Sequence, residues 1–533
     1  MTLLGSSPAA APKRLFEPAD FRRTLLILWA IFVLFYFSEL AGFSLSIDEE
    51  RALMRTDPGL WVAEDRWLIY LIERFVLPPP VLPFFPLFVF GALASLGYIA
   101  LAKCHDLDLA DWRALLLFTV FSAFPALFFI LDFSMTTPSF GVAMLLACLS
   151  LFLFGRVTDA MAEPGHGRRR LIGLFALQAL LGAGVIGVYQ SLILLVAVGC
   201  CGIFLLRALR GPALPLRHIL LLHAYVLAML VAGFVLSYLI AHGLQWLIGH
   251  HAGYTGRFVR PERLVESPWD VIQKVLREYW AVYGGKRAVY GFRYVTFPLL
   301  LVLGMVALAA RAWQRGRLVV LLVILYMLGM TLIPFAIHPL SGGKLPYRTL
   351  VSVPYVFWFF AAAAALSQVA WIRRAGIVLV IIVALQSLYT FSSFQAQKRL
   401  VLDHDRQLAS QIYQRVVAEI PDFDRKQTYR IDFYGDHEFR TAFREVGGST
   451  WSGSFFEWDN GSPGRIIDFM TILGYSNFQR IDDATRVALL PTTEKMPIWP
   501  AAGSVQVVDG VILVRLGQRP GLAHVRAMQE QKP

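Results

Sequence analysis

The sequence predicts an α-helical polytopic membrane protein of about eleven transmembrane helices, followed by a C-terminal α/β domain outside the cytoplasm. Three observations predict it: an apolar composition, repeated apolar runs of bilayer length, and a regular alternation of loop charge. Hydrophobic residues make up 57% of the 533 residues and charged residues 16%, with a mean hydropathy of +0.57. Soluble domains sit nearer half apolar and a quarter charged. The net charge of +12 invites a nucleic-acid partner. Much of the Lys and Arg, however, falls in short clusters between apolar runs, as the positive-inside rule places it in cytoplasmic loops. No nucleic acid is therefore expected. Cys104, Cys148, Cys200 and Cys201 lie in or beside apolar runs, which leaves no disulfide framework and no zinc-ligand spacing.

Residues 1–23 read as a polar cytoplasmic tail. The apolar stretch from Thr24 to Phe43 exceeds the core of a signal peptide, about 7–15 residues, so an uncleaved first span is expected. The transmembrane domain, 24–393, carries further runs near 81–102, 114–132, 138–155, 171–206, 218–247, 297–310, 318–337, 349–370 and 375–393. As one helix, 171–206 would extend about 54 Å against roughly 30 Å of hydrocarbon. It is read as a hairpin turning near Gly187-Val188-Tyr189-Gln190-Ser191. Short basic loops at Lys103/Arg113, Arg156 with Arg168 to Arg170, Arg207/Arg210/Arg217, Arg311/Arg315/Arg317 and Arg373-Arg374 belong in the cytoplasm. The longer or less basic loops 47–80, 133–137, 248–296 and 338–348 then lie outside. An odd span count puts the soluble domain, 394–533, on that side too. In loop 248–296, Ser267 is a plausible N-cap with Pro268 at the first helical position. Trp269, Ile272, Leu276, Tyr279, Trp280 and Tyr283 follow on one helical face, the pattern of a helix lying in the membrane interface. In the soluble domain, 396–419 reads as helix, 428–435 as strand and Gly464 to Leu473 as a short helix. Val505 to Val508 and Val511 to Leu516 flank Asp509-Gly510, a type I′ hairpin signal.

Candidate chemistry gathers in the outer loops. Ser46-Ile47-Asp48-Glu49-Glu50-Arg51 follows the first span. A carboxylate there either starts a solvated loop, acts as general base on a sugar hydroxyl, or holds a metal ion. Asp132 ends the third span on the same side, either as a helix-end cap in water or as a second carboxylate that orients the acceptor. In His338 to Arg348, Gly342-Gly343 permits close ligand approach. Lys344 and Arg348 are cations against the positive-inside trend, suited either to lipid headgroups or to gripping a donor phosphate. His250-His251 lacks a third metal ligand. Trp451, Phe455, Phe456 and Trp458 read as core before sugar platform.

The order of these motifs resembles the serotype-converting O-antigen glucosyltransferases, the type-II Gtr group of the GT-C superfamily of membrane glycosyltransferases. The resemblance rests on Asp48-Glu49 after the first span, then Trp61 and Asp65-Arg66-Trp67 before the second. It also rests on Tyr189-Gln190-Ser191 at a hairpin turn and Leu345-Pro346-Tyr347-Arg348-Thr349-Leu350 opening a late span. In the tail it rests on Ser454-Phe455-Phe456 and Met496-Pro497-Ile498-Trp499-Pro500. One departure is Asp65, where the family pattern leads one to expect glycine before the arginine.

The resemblance implies a GT-C-like transmembrane domain and transfer of a hexose, typically glucose, from a polyprenyl-phosphate donor. The acceptor would be a surface polysaccharide, such as lipopolysaccharide O-antigen, or a lipid-linked glycan, met at the periplasmic face of a bacterial inner membrane. Inversion at the anomeric carbon is expected. Asp48 or Glu49 fits the base, Lys344 and Arg348 the donor phosphate, and Arg66, Asp132, Tyr189 and Gln190 substrate binding. No motif calls for a metal site or an organic cofactor, although a divalent cation is compatible with the acidic run. The rivals are a transporter or flippase for lipid-linked sugars, a glycan polymerase or ligase, and an assembly subunit. Transporters tend to show repeated halves and charges at the bilayer midplane, and neither is visible.

Overall fold

Apolar side chains at every position of a run cannot all face one core, so such runs fold as helices that bury one side on each other and leave the other to lipid. The structure is a computed structural model that describes residues 18–42, 44–79, 84–162, 168–210, 215–249, 258–440, 450–451 and 453–518. His250-His251 and most of the N-terminal tail lie outside the described residues. The chain divides into two compact units. The first comprises Met1–Gly42, Asp57–Ser392 and Val446–Gly448. The second comprises Phe43–Thr56, Ser393–Glu445 and Ser449–Pro533.

In the first unit every expected apolar run contains helix, and among the described residues eight helices are long and apolar enough to cross a membrane. A ninth arises if Trp112–Ser122 and Pro125–Leu131, bent by 51°, form one broken span. Pro125 at the start of the second piece explains the break, because it lacks an N–H and holds Phe124 extended at ψ 139. These eight or nine, by length and composition among the described residues, stand beside the eleven expected spans. The run at 349–370 yields only Val353–Ala365, thirteen residues or about 20 Å, and every one of its side chains is buried in protein. The first run forms the helix Pro18–Phe35. The expected hairpin is present: helices Arg168–Ile186 and Ile193–Arg210 part at Gly187 to Leu192.

The loop helix forms at Pro268–Tyr283, but Ser267 makes no side-chain cap. Its expected apolar face divides. Trp269, Ile272, Leu276 and Trp280 are exposed, whereas Tyr279 and Tyr283 turn inward to bond Thr331 and pack on Phe335.

The second unit is an α/β fold. Strands β1 (Tyr429–Tyr434), β2 (Phe478–Arg480), β3 (Val505–Val508) and β4 (Val511–Arg515) form one sheet in the order β2-β1-β4-β3. β1 runs parallel to both β2 and β4, and β3 is antiparallel to β4. Alternation along each strand divides the core. Ile431, Phe433, Ile512 and Val514 pack on one face with Leu408, Ile412, Ile466 and Phe469. Tyr434, Val511 and Leu513 pack on the other with Leu489 and Leu490. The helices after β1 (Pro463–Ile472) and after β2 (Asp483–Thr493) therefore cover opposite faces. The β3–β4 turn has Asp509 at φ 50 and Gly510 at φ 73, the two positive angles that a type I′ turn requires. Helix 396–419 exists as the end of one continuous helix, Ala370–Glu419. Trp451, Phe455 and Phe456 are buried core residues, as expected.

Candidate functional site

The acidic run after the first span folds into the second unit. Leu45 and Ile47 enter its apolar core, which anchors the short helix Glu49–Met54. Asp48 stands before this helix at φ 78 and does not cap it with its side chain. Glu49 and Glu50 are turned by about 100° within the helix, whereas Asp48 lies ahead of it in left-handed backbone, so the three acids do not share one destination. Glu49 is buried, and its Oε2 accepts the Ser46 N–H at 2.7 Å. Glu50, fully buried, and Asp48 instead converge on Arg465.

Arg465 is the third residue of Pro463–Ile472 and its side chain is 2% exposed. Its Nη1 donates to Glu50 Oε1. Its Nη2 donates to Asp48 Oδ1 at 2.9 Å and to Asp459 Oδ2 at 2.7 Å. The two carboxylates on Nη2 are open, with side chains 40% exposed at Asp48 and 50% at Asp459. Asp459 and Asn460 both adopt left-handed backbone, φ 53 and 60, which short polar side chains tolerate. The next residue, Gly461, lies so close to the end of β1 that a Cβ would sit 2.1 Å from the Gly435 carbonyl oxygen. The cluster thus lies beyond the carboxyl end of β1, where the two helical crossovers leave on opposite faces. Open α/β sheets bind ligands at such switch points.

Electrostatics follow burial. Desolvation pushes the Glu50 carboxyl up to about 7, with Arg465 pulling it down and Asp48 adding to the rise. Burial works against the charge on Arg465, but Glu50, Asp459 and Asp48 outweigh it and raise its pKa. Half-buried Asp468 is also raised by desolvation, opposed by Arg51 and Arg465.

In the first unit the expected substrate residues form two groups. The Arg66 guanidinium lies 5.5 Å from the ring centres of both Trp61 and Tyr189 and pairs with Glu64 at 3.1 Å. Gln190 Nε2 donates to the Glu64 carbonyl at 3.3 Å. Two stretches far apart in sequence, 61–67 and 187–190, are thereby brought together, and Leu68 N–H bonds the Gly187 carbonyl at 2.9 Å. Asp65 adopts φ 60, the left-handed conformation that glycine favours, and its Oδ1 accepts from Gln245 Nε2 at 2.8 Å. Asp65 thus stands in a backbone conformation that the expected glycine would also adopt.

The second group joins Asp132, buried at the end of Pro125–Leu131, to the turn Tyr347–Thr349. Arg348 lies 5.4 Å from the Phe133 ring centre. The Phe129 and Tyr347 rings stand 5.7 Å apart. Lys344 is exposed. Gly342 and Gly343 serve packing: with φ 78 and 99, a Cβ on either would strike Arg263 or the 268–283 helix at under 3 Å. Among the described residues no group of three or more His, Cys, Asp or Glu could hold a metal ion.

The family model for glucosyl transferase GtrII matches residues 37–363, more than half of the chain. The chain belongs to the GtrII family. Comparison with curated proteins and with solved structures finds no match. Membership in the GtrII family makes this chain a glucosyltransferase, and its apolar helices make it a membrane protein. The GtrII match spans Asp48, Arg66, Asp132, Tyr189, Gln190, Lys344 and Arg348, and it ends ahead of Asp459 and Arg465. Sequence reasoning did not single out those last two residues. A signal was present at Arg465, which falls beside Phe469 on the apolar arc of an amphipathic helix, where a cation needs a buried partner.

Proposed function

We propose that this GtrII family member transfers a hexose, glucose, from a polyprenyl-phosphate carrier to a surface polysaccharide or lipid-linked glycan on the extracytoplasmic side of the membrane, with inversion. The observation that carries the reading is the Asp48 carboxylate, open to solvent and held at 2.9 Å by a buried arginine. A general base needs a fixed, accessible carboxylate within reach of the proton it takes. In the proposed step Asp48 accepts the acceptor hydroxyl proton as that oxygen attacks the anomeric carbon. The bond from this carbon to the phosphate oxygen breaks, and polyprenyl phosphate leaves with one more negative charge. Lys344 and Arg348 are assigned to that phosphate and Arg66, Tyr189 and Gln190 to sugar binding, each from its surroundings within its own unit. Aromatic rings beside a guanidinium offer both apolar and polar contact to a pyranose.

The test is mass spectrometry of surface glycans from the native host. Wild type is compared with a deletion and with the deletion complemented by Asp48→Asn protein at matched membrane levels. Loss of one hexose per repeat in both mutants is expected. Unchanged glycans in the deletion would remove the proposed acceptor, and loss of whole polymers would favour a flippase or polymerase.

A further inference from the structure

We infer that Arg465 is the positioning residue for Asp48: its guanidinium, anchored from within by Glu50 and shared outward with Asp459, aims the Asp48 carboxylate at the acceptor. The inference rests on the reading of Asp48 as base and adds to the site a residue that the family match does not reach.

Nothing local orients the Asp48 side chain. It precedes a six-residue helix at φ 78 and makes no cap bond, and among the described residues the bond that holds its carboxylate comes from Arg465 Nη2. That nitrogen cannot swing away, because Nη1 is tied to fully buried Glu50 and the side chain is itself 2% exposed.

A purely structural tie would explain only the inner half of this arrangement. Pairing a buried arginine with a buried acid prevents an uncompensated charge. The outer half adds two carboxylates that are 40% and 50% exposed, so the guanidinium that compensates the buried acid also fixes two groups open to solvent. The cluster also occupies the switch point of the sheet, where open α/β sheets bind ligands.

The chemistry links protonation to aim. The groups facing Glu50 and Arg465 are Asp48, Arg51, Asp459 and Asp468. While Glu50 carries its proton, the charge on Arg465 serves the outer carboxylates. When Glu50 ionises, it competes for that charge and loosens the hold on Asp48. Since burial brings Glu50 to about 7, this exchange falls within the working pH range.

The test measures initial transfer rates of the purified full-length protein in lipid nanodiscs from pH 5 to 9. Polyprenyl-phosphate-glucose is the donor and the host's lipid-linked polysaccharide the acceptor, and wild type is compared with Arg465→Lys, Glu50→Gln and Asp48→Asn. Arg465→Lys is expected to lower kcat at least tenfold with the donor KM within threefold, because a point charge cannot fork to Glu50 and to two outer carboxylates. Wild-type log kcat is expected to inflect near pH 7, and Glu50→Gln to erase that inflection. Wild-type kcat and pH profile in an Arg465→Lys protein that unfolds at the wild-type temperature would overturn the inference. If Arg465→Lys does not fold, the Glu50→Gln profile decides, and an inflection that persists there sinks the inference. The reading of Asp48 as base is judged separately: it fails if Asp48→Asn transfers at the wild-type rate, whereas an inactive Asp48→Asn beside a normal Arg465→Lys defeats the positioning role alone.

Discussion

Replacing Glu50 with glutamine should change how the stability of the second unit depends on pH, and the size of the change follows from burial. The Glu50 carboxyl moves from 4.5 to about 7 on folding, chiefly through desolvation. A raised acid favours the folded state fully below its unfolded value, and that contribution is lost as pH rises through the folded value. The whole effect is about 3.4 kcal/mol, of which about 2.5 kcal/mol falls between pH 5 and pH 8. Glutamine keeps the volume and an acceptor for Arg465 but has no proton to lose. The stability of wild type relative to Glu50→Gln should therefore fall by about 2.5 kcal/mol from pH 5 to pH 8. In a unit of about 150 residues this corresponds to roughly 5–10 °C in relative Tm. Thermal unfolding of both full-length proteins in nanodiscs, at one scan rate and at pH 5, 6, 7 and 8, measures it. Asp405 and Asp432, also raised by burial, are common to both proteins and cancel in the difference. A difference that stays flat to within about 1 kcal/mol across this range would refute the desolvation argument, and with it the view that Glu50 exchanges a proton near neutrality.

Three further outcomes are expected. Arg486→Met leaves fully buried Asp432 without its partner at 2.8 Å. It should destabilise the second unit by about 3–5 kcal/mol at pH 8 and by less at pH 5, because Asp432, raised to about 6, then takes up a proton; thermal unfolding at the two pH values measures both. Asp65→Gly and Asp65→Val both lose the Gln245 hydrogen bond, but only valine is strained at φ 60, so Asp65→Val should be less stable than Asp65→Gly by about 1–2 kcal/mol, read as a lower unfolding temperature. Arg348→Gln and Lys344→Gln should each lower kcat/KM for the proposed polyprenyl-phosphate donor at least tenfold, about 1.4 kcal/mol of transition-state stabilisation. Transfer rates against donor concentration check this, and wild-type values would remove the phosphate role.

Much of the fold was legible because the relevant forces act over short stretches of chain. A run such as 218–247 is apolar throughout, and in lipid its backbone can satisfy its own polar groups only as a helix; Leu216–Ile248 is that helix. Asp509-Gly510 specifies a turn because few other pairs accept two positive φ values. The run at 349–370 shows where hydropathy stops. Hydropathy measures avoidance of water and cannot tell a helix facing lipid from one, like Val353–Ala365, enclosed by protein. The bend at Pro125 was similarly hidden inside an apolar run.

The site was less legible. Sequence reasoning pointed to Asp48 and to the cations Lys344 and Arg348, and motif order linked the Arg66 and Tyr189 stretches, which the fold packs together. It could not rank three consecutive acids, because the difference between Asp48, Glu49 and Glu50 lies in where a six-residue helix aims each one. Nor could it pair Asp48 with an arginine 417 residues away.

The sequence by itself determined the membrane character, the helical runs, the hairpin near Tyr189, the Asp-Gly hairpin and the family. All of these depend on periodicity, composition and motif order along contiguous residues. Only the tertiary structure decided that residues 43–56 belong with the C-terminal unit, that Glu49 bonds the backbone while Glu50 is buried, and that Arg465 gathers Asp48 and Asp459. These outcomes depend on desolvation and on directional bonds between distant segments, and neither exists until the chain has folded.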